Sequence, residues 1–173
     1  MTRVNGGVRR VGRGAMNDHD EIEALRKALA AEHAAVYAYA VIGARTEGAL
    51  QAGLRAAFDA HRGRRDQLRS LIVNRGGRPS EPESSYTLPS TPRSAQDAVA
   101  LAVQLESGIT ATYLEVCAAP SAALRRMAAL AMQESAVRSY GFQPALTAFP
   151  GMPVAASAAT PGTATPPPTA EGG

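Results

Sequence analysis

The sequence predicts an all-α fold, a four-helix bundle with one long crossover between its second and third helices. Three observations carry that prediction. Four stretches place apolar residues at alternating steps of three and four, the spacing of a helix that buries one face. The connections between them run short, long, short, which folds neighbouring helices back on one another and sends the chain across the bundle once. Each stretch also places one ionisable residue near the middle of its apolar seam: Glu32, His61, Glu106 and Glu134. A lone charge inside a bundle costs on the order of several kcal/mol unless it is paired or metal-bound. Four at one height therefore point to one shared internal site.

The first helix is expected from Asp18 to about Arg45, with Asp18 and Glu21 as a capping box. Its seam reads Ile22, Leu25, Leu29, Glu32, Val36, Tyr39 and Gly43. Thr46, Glu47 and Gly48 supply a short turn, so the second helix folds back antiparallel. That helix is expected from Ala49 to Asn74, ended by Gly76 and Gly77. Leu50, Leu54, Ala57, His61, Arg64, Leu68 and Leu71 form its seam, with Phe58 and Ile72 beside it.

Residues 75–93 contain Pro79, Pro82, Pro89 and Pro92 and should lack regular structure. Extended at about 3.3 Å per residue, such a segment covers roughly 60 Å. A 25-residue helix is only ~37 Å long, so the segment can cross the bundle and leave helix three parallel to helix two. Ser94 and Asp97 open the third helix, which runs to about Cys117 with the seam Val99, Ala102, Glu106, Ile109, Tyr113 and Val116. Pro120 and Ser121 start the fourth, with Leu124, Met127, Ala131, Glu134 and Val137 or Arg138 inward, and Gly141 and Pro144 end it.

The two ends differ in composition from the middle. Residues 1–16 hold Arg3, Arg9, Arg10 and Arg13 among glycines and are expected to be a disordered extension, with Met16 a possible translation start. The bundle is expected over residues 17–150, and residues 151–173, rich in Ala, Pro and Thr, as a disordered tail. Removing the four terminal arginines takes the net charge from +3 to −1, which removes most of the case for a nucleic-acid partner. No apolar run reaches the roughly 20 residues that span a bilayer. Cys117 is the only cysteine, which fits a reducing, cytoplasmic setting.

Glutamates and a histidine are ligands suited to iron, manganese or zinc, and a site with open positions activates dioxygen, peroxide or water. The metal-free alternative pairs the acids with arginines: Arg62, Arg65 or Arg138 turning inward would close a charged network. Tyr37, Tyr39 and Tyr113 could hydrogen-bond the acids or serve radical chemistry beside a metal, but ordinary bundle packing explains them more cheaply, while His33 points off the seam and reads as a surface residue. The cluster Arg62, Arg64, Arg65 and Arg69 lacks interleaved aromatics and is broken by Asp66, so it reads as a solvated or internally paired face.

These residues resemble the ferritin-like superfamily. Glu32-His33-Ala34-Ala35-Val36-Tyr37-Ala38-Tyr39 is similar to its helix-one motif, and His61, Glu106 and Glu134 match ligand positions on the other three helices. The closest likeness is to an actinobacterial ferritin-like family of unknown function, carried by Glu32-His33-Ala34-Ala35, Ala60-His61-Arg62-Gly63-Arg64-Arg65-Asp66 and Leu105-Glu106. The resemblance implies a metal centre with a Glu at position 58 and a His at position 137, where this chain has Phe58 and Val137.

A central polar site short of its full ligand set, with a binding or structural role, is therefore the expected function. One alternative is an iron- or manganese-dependent oxidoreductase using Glu32, His61, Glu106 and Glu134. Another is a helical module that docks a protein partner or a second copy of itself.

Overall fold

The computed structural model describes residues 17–144 of the 173-residue chain. The expectations for the two terminal extensions, for Met16 and for the last residues assigned to the bundle lie outside that span. Four helices and no strand occupy the described residues: α1 (Asp18–Gly43), α2 (Gly48–Asn74), α3 (Ala95–Val116) and α4 (Ala122–Phe142).

The caps follow from local sequence. Asn17, not Asp18, caps α1: its side chain accepts from the backbone N–H of Asp20 at 2.9 Å, and Asp20 accepts from the backbone of Asn17 at 3.1 Å. Asn is as good a cap as Asp, so the box forms one residue earlier than expected. That frees Glu21, which is buried and accepts from the backbone N–H of Ser121 at 3.0 Å, with Arg75 Nε 3.5 Å away. One carboxylate thus ties the start of α1 to the start of α4 and the end of α2.

α2 ends in a Schellman motif. Gly76 adopts the left-handed conformation with φ of 73°, Gly77 N–H donates to the Ile72 carbonyl at 2.9 Å, and Gly76 N–H donates to Val73 at 2.9 Å. Ser94 with Asp97 forms the expected capping box of α3, and Ser121 caps α4.

The core is built from Leu25, Leu29, Ile42, Leu54, Leu68, Ile72, Leu101, Ile109, Val116 and Leu124, with alanines between them. Each fully buried Leu or Ile contributes roughly 1.5–3 kcal/mol, and the alanines let the helix axes approach. Side-chain pairs fix the relative senses of the helices. Glu32 and Tyr39 of α1 meet Tyr113 and Glu106 of α3, so those numberings run in opposite directions. Glu21 and Glu32 meet Arg75 and His61 of α2, again in opposite directions.

The segment between α2 and α3 has no regular structure but is fastened to α1 and α2. Arg26 donates to the Arg78 carbonyl at 3.0 Å, and Arg69 forms a forked pair with Glu81 at 3.1 and 3.2 Å. His33 Nε2 lies 3.3 Å from the Ser80 carbonyl, and the Tyr37 and Tyr86 rings are 5.5 Å apart. His33 is consequently buried, against the expectation of a surface histidine. The connecting segment covers the flank of α1 that a bare bundle would leave in water.

Candidate functional site

Three of the four seam residues converge. Glu32, His61 and Glu106 are each about 1% exposed and lie on α1, α2 and α3. His61 stands between the two acids, with Nδ1 2.7 Å from Glu32 Oε2 and Nε2 3.1 Å from Glu106 Oε1. A neutral imidazole carries one N–H and could donate to only one of them. Facing a carboxylate on each side, the ring satisfies both only as the doubly protonated imidazolium, donating to each.

The pKa directions agree with that assignment. Burial works against a charged His61, but the hydrogen bonds to Glu106 and Glu32 outweigh it and push the group up to about 9. Burial likewise opposes a charged Glu106, yet the bond from His61 and the charges of His61 and Arg138 take it down to about 2.

Two tyrosines and an arginine complete the shell. Tyr39 donates to Glu106 Oε1 and Tyr113 donates to Glu32 Oε1, both at 2.7 Å. Burial and the neighbouring carboxylates push both phenols far above their usual range, so they stay protonated donors. The Tyr39 ring also stacks on His61 with centroids 5.2 Å apart. From α4, Arg138 Nε donates to Glu106 Oε1 at 2.9 Å, and its Nη2 donates to Ser135 Oγ at 3.1 Å. Two carboxylates thus face one imidazolium and one guanidinium, and the cluster is formally neutral.

Glu134 does not join it. Its side chain is 51% exposed and pairs with Arg64 across the α2–α4 surface. The interior position on α4 belongs to Ser135, and Arg138 rather than Val137 turns inward, Val137 being 65% exposed. The inward residues run Leu124, Ala128, Ala131, Ser135, Arg138, so the step after Ala131 is four residues, not three. Alanines at 128, 129 and 131 give either register nearly the same apolar pattern, and a buried Ser carries no hydrophobic signal. Ser135 is for that reason invisible to the apolar pattern.

Three further arginines of α2 are paired near the surface: Arg62 with Asp59, Arg65 with Asp66 and Arg69 with Glu81. Phe58 is half-buried, with the Arg62 guanidinium 5.6 Å above its ring. Cys117 Sγ lies 3.7 Å from Met132 Sδ, and burial pushes its thiol pKa up. That is the environment of an inert packing cysteine.

As a metal site the donor set fits poorly. Both His61 nitrogens are engaged by carboxylates, the Arg138 guanidinium already occupies Glu106 Oε1, and Glu134 is outside. Among the described residues no three His, Cys, Asp or Glu side chains are arranged to hold an ion. One atom stands apart: Glu106 Oε2 is buried without a hydrogen-bond partner.

Residues 24–154 match a family described as a domain of unknown function, DUF4439. Among solved structures, the chain is similar to a conserved hypothetical protein, rv2844, from Mycobacterium tuberculosis. The two are 31% identical with a TM-score of 0.70, over 80% of this chain and 99% of that one. No curated protein matches. With most of its length inside the family match, this chain belongs to the DUF4439 family of domains of unknown function.

Proposed function

We propose that the Glu32–His61–Glu106–Arg138 cluster is a charge-balanced clasp that fixes helix register in a ferritin-like bundle, giving the protein a binding or structural role. The observation that carries this reading is the position of His61, with one ring nitrogen on each of two buried carboxylates. The imidazolium and the guanidinium supply the positive charge that a metal ion would bring to such acids. A network of this kind specifies one alignment of helices, because a slip of any helix leaves a buried charge unpaired.

The ferritin-like topology belongs to this proposal. Its supports are the 20-residue connection from Arg75 to Ser94 and the order of the contacts. That α1 runs opposite to both α2 and α3 supports parallel α2 and α3 joined by a connection that crosses the bundle. We also place the protein in the cytoplasm, on its single cysteine. No described helix is long and apolar enough to cross a membrane. Pairing of Arg62, Arg64, Arg65 and Arg69 with nearby acids argues against a nucleic-acid surface.

A second reading is favoured by Glu106 Oε2, whose lack of a partner is what a displaced ligand would leave. In that reading iron, manganese or zinc binds among Glu32, His61 and Glu106, at the cost of the His61 protons. Elemental analysis of protein purified without chelator, beside Glu32→Ala, separates the two. The clasp predicts substoichiometric metal in both proteins. Stoichiometric metal in the wild type that is lost in the variant would establish the second reading.

A further inference from the structure

Arg138 reaches the buried cluster from a cavity of about 400 Å³ between the first turns of α2 and the last turns of α4. Its walls are Ala49, Leu50, Gly53, Gly141 and Phe142, and Arg138 is the only charged residue among the six that line it. The volume falls within the roughly 300–1,000 Å³ typical of small-molecule sites, as does the composition, apolar walls with one polar group that fixes orientation. The guanidinium is a fork: Nε is spent on Glu106 and Nη2 on Ser135, which leaves Nη1 without a partner among the described residues. Its side chain keeps 21% exposure and lines the cavity, while Nε and Nη2 are anchored to Glu106 and Ser135.

We propose that this cavity binds a small monocarboxylate with an apolar body. The carboxylate accepts from Arg138 Nη1, and the tail lies against Leu50 and Phe142. A single negative charge suits the site better than a phosphate dianion, because among the described residues no second cation lines the walls and the Glu106 carboxylate is bonded to the same guanidinium. A cationic head is disfavoured by Arg138, and a purely apolar molecule leaves the Nη1 edge desolvated without a partner. Gly53 gives the site its depth: a Cβ there would meet only Phe142 Cε1, at 3.5 Å, so larger side chains at 53 project into the cavity. Binding requires Arg138 in place but no particular metal content, so its outcome is separable from that of the elemental analysis.

The test is calorimetric titration of the full chain with octanoate, with octylammonium and acetate as controls. Octanoate is expected to bind saturably, acetate at least tenfold more weakly, and octylammonium not at all. Arg138→Gln should weaken octanoate at least tenfold. Gly53→Leu, which leaves the charged cluster untouched and favours helix, should abolish binding by filling the cavity. No binding to the wild-type chain, equal binding of octanoate and octylammonium, or undiminished binding by Gly53→Leu would each overturn the assignment.

Discussion

Tyr113 on α3 donates its hydroxyl to Glu32 on α1 at 2.7 Å, and Tyr39 on α1 returns the same bond to Glu106 on α3, also at 2.7 Å. The two helices exchange one tyrosine–carboxylate bond each, and His61 of α2 fills the space between the acids. Each acid thus receives a neutral donor from the facing helix and a charged one from His61. A hydrogen bond to a charged group contributes roughly 1.5–3 kcal/mol. Tyr39→Phe and Tyr113→Phe should each destabilise the fold by about that much in urea unfolding. A change below about 0.5 kcal/mol in both would mean that the hydroxyls are not bonded to the acids.

Stability should depend on pH at both ends. His61 has a folded pKa of about 9 against 6.5 for the free group, so its contribution is complete below about pH 6.5 and is lost as pH rises through 9. Glu106 is lowered from 4.5 to about 2, so its contribution is complete above about pH 4.5 and is lost as pH falls through 2. Each shift corresponds to about 3 kcal/mol, but they are two ends of one bond and are not summed. Thermal unfolding across pH 3–10 should show a plateau from about 4.5 to 6.5 with a decline on either side. His61→Gln should remove the alkaline decline.

Glu32 and Glu134 should behave oppositely, although both occupy mid-helix positions. Glu32→Ala strips the buried imidazolium of one partner, and breaking a buried pair costs about 3–5 kcal/mol. Glu134→Ala removes an exposed pair with Arg64, which is worth about 0–1 kcal/mol. Chemical denaturation of the two variants side by side checks the ordering. Comparable losses would return Glu134 to the interior.

Two glycines make a matched pair. A Cβ at Gly77 would lie 2.9 Å from Ile72 Cγ2 and 3.0 Å from Ile22 Cγ2, so Gly77→Ala should cost about 1–3 kcal/mol by overpacking. A Cβ at Gly63, inside α2, meets nothing within 4 Å, and Gly63→Ala should stabilise by about 0.5–1 kcal/mol. Melting temperatures moving in opposite directions would bear this out.

How far the site was legible depended on how strongly each helix marked its buried face. α1 and α3 carry large apolar residues on the seam, so Glu32, Glu106, Tyr39 and Tyr113 fall where three-four spacing puts them. His61 was placed by the leucines at 54 and 68 on either side. α4 offers alanines instead of a stripe, so three-four spacing points to Glu134, one residue before the buried Ser135. His33 was misplaced for a different reason: periodicity describes a helix against its bundle neighbours, and the connecting segment buries a further flank that no pattern within α1 reports. In the sequence Arg138 is one of three candidate arginines and an alternative to Val137 on the α4 seam. Choosing it required knowing that its register, unlike that of Arg62 or Arg65, turns toward Glu106.

The protonation of His61 is the most direct test of the clasp. Nitrogen-15 NMR of the imidazole ring at neutral pH should show both Nδ1 and Nε2 protonated, with both protons shifted by strong hydrogen bonds and unchanged on adding ferrous iron or zinc. A ring with one unprotonated nitrogen, or one whose signals shift or broaden stoichiometrically with added metal, would contradict it.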